Sequence, residues 1–132
     1  MKHFFLFIIL LCSLHTGISQ KVYDFNATCQ QAYQEILRLK IDQGQTLIQK
    51  AKQQNPNNLI PIVLESYIDF LVLFLKEDPA EYKIRYPRFS ERIEVLEDGP
   101  QESPFYRLAL SNIRVHKAAS AIKFGKMWEA GW

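Results

Sequence analysis

Apolar residues recur along this chain at helical rather than strand spacing. Cys29, Ala32, Tyr33, Ile36 and Leu37 follow the i, i+3, i+4, i+7 rhythm of one helix face. Thr28 stands ahead of them with Gln31 three residues on, which predicts an N-cap and capping box for a first helix running to about Ile41. A turn near Asp42–Gly44 leads to a second helix with a narrow stripe, Leu47, Ile48 and Ala51. Asn55-Pro56-Asn57-Asn58 stops it, because proline disfavours helical backbone in the residue before it. Upstream, residues 20–27 read as an extended lead-in in which Tyr23 and Phe25 alternate around Asp24.

Residues 59–76 have almost no polar face. A helix apolar all round is a buried one, and Glu65, Ser66 and Asp69 argue against a membrane span there. Asp78-Pro79-Ala80-Glu81 combines an N-cap, a proline at the first helical position and an acid at the third, so it predicts a helix start. Pro87 predicts that this helix is short, with Ser90 capping a further turn or two to Leu96 before Gly99-Pro100. Ser103-Pro104 opens a long helix to about residue 124, whose Ala109, Ser111, Ala118, Ala119 and Ala121 permit close helix contact. Gly125 breaks it, and a new helix is expected from Lys126. No stretch alternates in the manner of a strand between hairpin turns. The expected fold is all-α, built from antiparallel helix pairs joined by short turns.

The first nineteen residues belong to a different class. Lys2 and His3 precede the run Phe4 to Leu11, and the small residues Gly17 and Ser19 follow. That order predicts a secretory signal peptide, residues 1–19, cleaved after Ser19. The run is short for a membrane span, which needs roughly 20 apolar residues; the membrane enters only if the segment stays uncleaved. The expected location is the periplasm, the cell envelope or the extracellular space. The full chain carries 16 basic and 14 acidic residues, so its charge gives no reason to expect nucleic acid. Cys29 is the only cysteine left after cleavage, which rules out an internal disulfide and leaves a buried thiol or an intermolecular partner.

Two segments carry a family resemblance. Ala32, then Gly44, Ile48 and Ala51, then Asn55-Pro56-Asn57-Asn58 resemble the paired helices and terminus of a tetratricopeptide repeat. Phe124-Gly125-Lys126-Met127-Trp128-Glu129-Ala130 is similar to the turn of such repeats, with a glycine between helices and an alanine five residues on. The whole arrangement also looks like the start of exported repeat proteins of Bacteroidota. The middle departs from the pattern: positions 34 residues after Gly44, Ile48 and Ala51 are Asp78, Tyr82 and Arg85. The resemblance implies a scaffold over residues 28–132 that binds another protein or peptide, with no catalysis of its own. A one-turn final helix bearing Met127, Trp128 and Trp132 predicts a chain truncated at its C-terminus, because a lone turn is costly to nucleate and a solenoid needs a polar cap.

Glu65 and Asp69 are the best candidates for chemistry. They stand four apart on one helix face in the most apolar segment, where two close carboxylates can support acid–base catalysis. The competing expectation is that they line a polar stripe, or are paired with Arg38, Arg107 or Arg114 from neighbouring helices. An exported enzyme, or a helical accessory domain of one, is therefore the alternative function. Tyr82, Lys83, Arg85, Tyr86, Arg88, Phe89 and Arg92 form a basic–aromatic stretch. Tyr82, Arg85, Tyr86, Arg88 and Phe89, with Trp128, are the expected partner-binding residues. His116, flanked by Asn112 and Ser120, reads as a partly exposed histidine without the company of a metal site. Asn26-Ala27-Thr28 matches a glycosylation acceptor, which matters only in a eukaryotic host. No glycine-rich phosphate loop, paired Cys-x-x-Cys or serine elbow is present, and no metal or cofactor is expected.

Overall fold

The computed structural model describes residues 20–129 and is all-α. It contains α1 (Ala27–Leu37), α2 (Ile41–Gln54), α3 (Ile60–Lys76), α4 (Pro79–Glu97), α5 (Pro104–Lys123) and a 3₁₀ turn at Met127–Glu129. Each helix packs on its neighbour in sequence, and α3 also touches both α1 and α5. Among these helices α2 and α4 do not meet, nor do α1 and α5. The odd-numbered helices therefore form a continuous row, with α2 and α4 seated separately against it. This is an open helical-repeat array of successive pairs rather than a closed bundle.

Most helix ends follow local chemistry. Asp78 and Ser103 cap α4 and α5 by accepting from the Ala80 and Phe105 amides, each with proline in the first turn. α1 departs from expectation at both ends. Its cap is Asn26 rather than Thr28, with Asn26 Oδ1 accepting from Cys29 N–H at 3.0 Å. It also ends at Leu37, earlier than Ile41, because Leu39 turns left-handed at φ 61°. Leu39 N–H then bonds to Ile36 C=O and Lys40 N–H to Glu35 C=O, both at 2.9 Å. This is a Schellman closure with leucine where glycine is usual. The same closure ends α5 with the expected residue, Gly125 at φ 70°.

The early end of α1 moves Gly44 from the turn into α2. There it is buried against Ile36, whose Cγ1 would lie 2.6 Å from an added Cβ. A side chain at Gly44 would force α1 and α2 apart, and Ile36 is itself fully buried. Gly44→Ala is expected to cost about 1–2 kcal/mol, overpacking outweighing the better helix propensity of alanine. Chemical unfolding of the variant checks this; an unchanged or raised midpoint would show that Ile36 yields freely.

Ahead of Ala27, where α1 begins, Val22 forms an isolated parallel bridge to Asn58. Val22 N–H donates to Asn57 C=O at 3.0 Å and Val22 C=O accepts from Leu59 N–H at 2.8 Å. Tyr23 is buried, and its hydroxyl donates to Leu96 C=O at 2.9 Å. Buried Asn58 fixes the junction. Its Oδ1 accepts from the Asp24 and Ile60 amides, and its Nδ2 donates to Asp24 C=O at 2.7 Å. The Asn-Pro-Asn-Asn segment thus does more than stop α2: it ties the lead-in to the start of α3.

α4 corrects a second expectation. It runs unbroken through Pro87 from Pro79 to Glu97. A proline inside a helix costs about 3 kcal/mol through a lost hydrogen bond and a ring clash. Lys83 and Pro87 are both exposed, so the freed Lys83 carbonyl can be solvated. Beyond Pro87, buried Phe89 and Leu96 and a set of ion pairs to α3 hold the second half in line. α3 is buried or half-buried through Leu73, but its final turn leaves Phe74 and Leu75 exposed. No described helix is long and apolar enough to cross a membrane.

Candidate functional site

Asp69 lies at the joint between α3 and α4, with its carboxylate almost wholly buried. Arg85, Arg88 and Arg92 project toward it from one face of α4, spaced at i, i+3 and i+7. Arg85 and Arg88 meet Oδ1, the latter at 3.3 Å, and Arg92 Nη2 meets Oδ2 at 2.7 Å. Glu65, one turn earlier on α3, pairs with Lys52 from α2 and lies 4.0 Å from Arg92 Nε. Glu81 pairs with Arg85 at 2.6 Å, and that hydrogen bond holds its carboxyl below the ordinary range. The partners of the acidic pair are therefore Lys52, Arg85, Arg88 and Arg92, not Arg38, Arg107 or Arg114. Arg38 and Arg114 instead bond to Glu35 and Glu97. Both Asp69 oxygens accept from guanidinium groups, and the carboxylate is almost wholly buried.

The basic–aromatic stretch is mostly turned inward. Phe89 is fully buried, which removes it from a partner-facing role. Arg85 is committed to Asp69 and Glu81, while Arg88 keeps a partly exposed side chain. Tyr82 and Tyr86 stack with ring centroids 4.6 Å apart, and Tyr82 lies 4.6 Å from Phe124, which caps the end of α5. Trp128 is the outlier, 94% exposed beyond the end of α5.

His116 is buried rather than partly exposed. Its ring stacks on Phe70 at 4.7 Å and meets Tyr67 edge-on at 4.5 Å. Its Nδ1 shares a 2.9 Å hydrogen bond with Ser66 Oγ. Burial, with the Arg92 guanidinium adding to it, pushes its imidazole down to about 4. Cys29 is buried too, and burial raises its thiol to about 11, so it is a packing residue without a reactive thiolate. Among the described residues, no group of three or more His, Cys, Asp or Glu side chains could hold a metal ion.

The feature that sequence reasoning missed is a pocket on the row of odd-numbered helices. Phe25 from the lead-in, Tyr33 from α1, Tyr67 from α3, and Phe105 and Leu108 from α5 wall a cavity of about 180 Å³. Asn112 brings one polar group to its edge. The rings brace one another: Phe25 lies 6.1 Å from Tyr33 and 6.3 Å from Phe105, and Tyr33 lies 5.4 Å from Tyr67. A signal was present, since Tyr33 and Tyr67 stand 34 residues apart at matching places in successive helix pairs. Phe25 and Phe105 have no such register.

Comparison with family models, with curated proteins and with solved structures gives no match.

Proposed function

We propose that this protein is an exported helical-repeat scaffold that binds another protein or peptide and has no catalysis of its own. The observation that carries this reading is the aromatic pocket on the odd-helix row. Small-molecule sites usually enclose about 300–1,000 Å³. A cavity of about 180 Å³ suits one large apolar side chain instead. Interfaces draw most of their affinity from such anchors, which are often aromatic and seated in a preformed pocket. The enclosure of Asp69 by three arginines supports a non-catalytic reading of the acidic pair. Export rests on the pattern of residues 1–19, which lie outside the described residues. Residue types and spacing from the family resemblance point the same way.

A displayed library of random short peptides tests this reading. Selection on the protein should enrich sequences with a single Trp, Phe or Leu at a fixed position. Leu108→Arg at the pocket wall should weaken the selected peptides by at least tenfold, the order expected from blocking one anchor. Leu108 is exposed, so the variant should fold. Absence of any enriched motif, or peptides indifferent to Leu108→Arg, would overturn the reading.

A further inference from the structure

α5 has a free face on the side away from α3 and α4. Leu108, Val115 and Ile122 lie along it at intervals of seven, and all three are more than half exposed. Ser111, Ala118 and Ala119 fall between them, so a second helix could approach closely. Two features say what kind of surface would cover this stripe. First, it is symmetric about Val115. An antiparallel copy of α5 would place Leu108 against the partner's Ile122 and Val115 against the partner's Val115, apolar on apolar at each of the three stripe positions. Second, α2 at the other end of the array offers no apolar counterpart. Its outward positions are Asp42, Gln43, Thr46, Gln49, Lys50 and Gln53. Head-to-tail stacking would bury the stripe against amides and charges, at a cost in unpaired polar groups.

The same register brings two otherwise unrelated features together. Trp128 follows Ile122 by six residues, past the Gly125 turn. In the antiparallel pair it reaches the end of the partner's α5 that carries Phe105 and Leu108, where the pocket opens. A nearly fully exposed indole and a cavity the size of one large side chain then lie at the same end of the paired helices. We propose that a second copy of this chain is the occupant. The two α5 helices pair antiparallel about a two-fold axis at Val115, and Trp128 of each protomer seats in the pocket of the other. This rests on the reading of the pocket as a side-chain site and names its ligand.

Sedimentation equilibrium of the purified chain tests the proposal, with a dimer dissociating on the order of 10 µM expected for an interface at the small end of the stable range. Val115→Glu and Val115→Lys place like charges across the axis, and each alone should weaken self-association by about 100-fold or more. Mixing the two variants should restore a dimer, because only a two-fold contact at residue 115 sets Glu against Lys. Trp128→Ala should weaken the dimer at least tenfold. Far-UV circular dichroism and melting of the monomeric variants should match the parent, since Val115 and Trp128 are both exposed. A strict monomer up to several hundred micromolar overturns the proposal, as does a dimer indifferent to Val115→Glu or one not rescued by mixing. Val115 lines no part of the pocket, so these failures leave the peptide selection on the pocket standing. Failure of that selection on monomeric Val115→Glu would instead count against the pocket itself.

Discussion

Asp69→Ala is expected to cost about 3–5 kcal/mol of folding stability, the range found when one partner of a buried ion pair is removed. The geometry places Asp69 at the upper end of what one side chain can do here. Its carboxylate is the shared acceptor for Arg85, Arg88 and Arg92, and Arg92 is itself largely buried. Without it, Arg92 keeps, among the described residues, only Glu65 at 4.0 Å, and its buried Nη1 already has no hydrogen-bond partner there. Arg85 retains Glu81, and Arg88 can turn to water, so the loss concentrates on Arg92. The charge ladder also carries α4 past Pro87, so the second half of that helix should fray first. Asp69→Asn keeps one acceptor oxygen and should lose less. Glu65→Ala should cost no more than about 1 kcal/mol, because its Lys52 partner is partly exposed. Urea unfolding followed by circular dichroism measures all three. A loss under 1 kcal/mol for Asp69→Ala would show that the three arginines find water or other partners at little cost.

Several of these elements were legible in the sequence for identifiable reasons. Helix periodicity, a nearly unbroken apolar run, proline at the first turn and a glycine after the last turn are local signals, and they located the body of α2, α3, α5 and the Gly125 break, though not the start of α2 at Ile41. Where the chain departed from them, a tertiary contact or an unusual residue intervened. Leu39 closes α1 in a backbone conformation that glycine usually supplies, so nothing local marked that end. Pro87 carried a breaking signal that the packing of Phe89 and the arginines on α4 overrode. The pairing of Glu65 and Asp69 followed from the cost of burying charge, but the choice of partners did not. It depended on which helix α3 would lie against, although the spacing of Arg85, Arg88 and Arg92 was present to be read. The pocket needed four separate elements to converge, and only its Tyr33 and Tyr67 share a register. His116 looked exposed because Asn112 and Ser120 flank it one turn away. In the fold Ser120 is buried and Asn112 half-buried, so α5 turns a partly polar face inward.

That inward histidine makes stability depend on pH above the carboxylate range. His116 titrates at about 4 in the fold against an ordinary 6.5. Between those values the unfolded chain takes up a proton that the native state refuses. The contribution of the neutral ring is fully present above about 6.5, falls as pH drops through this window, and is lost at about 4. Integrated over the window it amounts to about 3 kcal/mol, with a slope no steeper than about 1.4 kcal/mol per pH unit. Between pH 7 and pH 5 the expected loss is about 2 kcal/mol, before most carboxylates begin to protonate. The refusal has a structural cause. Tyr67 and Phe70 enclose the ring from α3, Ser66 offers it one hydrogen bond, and Arg92 on α4 opposes a second positive charge nearby. The carboxylates against Arg92 are already engaged, Asp69 by three guanidinium groups and Glu65 by Lys52. His116→Gln keeps a hydrogen-bonding side chain beside Ser66 and cannot take up charge, so its unfolding midpoint should stay nearly level from pH 7 to pH 5 while that of the parent falls. The imidazole proton resonances of the folded parent should likewise stay unshifted down to about pH 5. Equal losses for parent and variant over that window would mean that the charged ring is accommodated, and that the joint between α3 and α5 opens more readily than its packing implies.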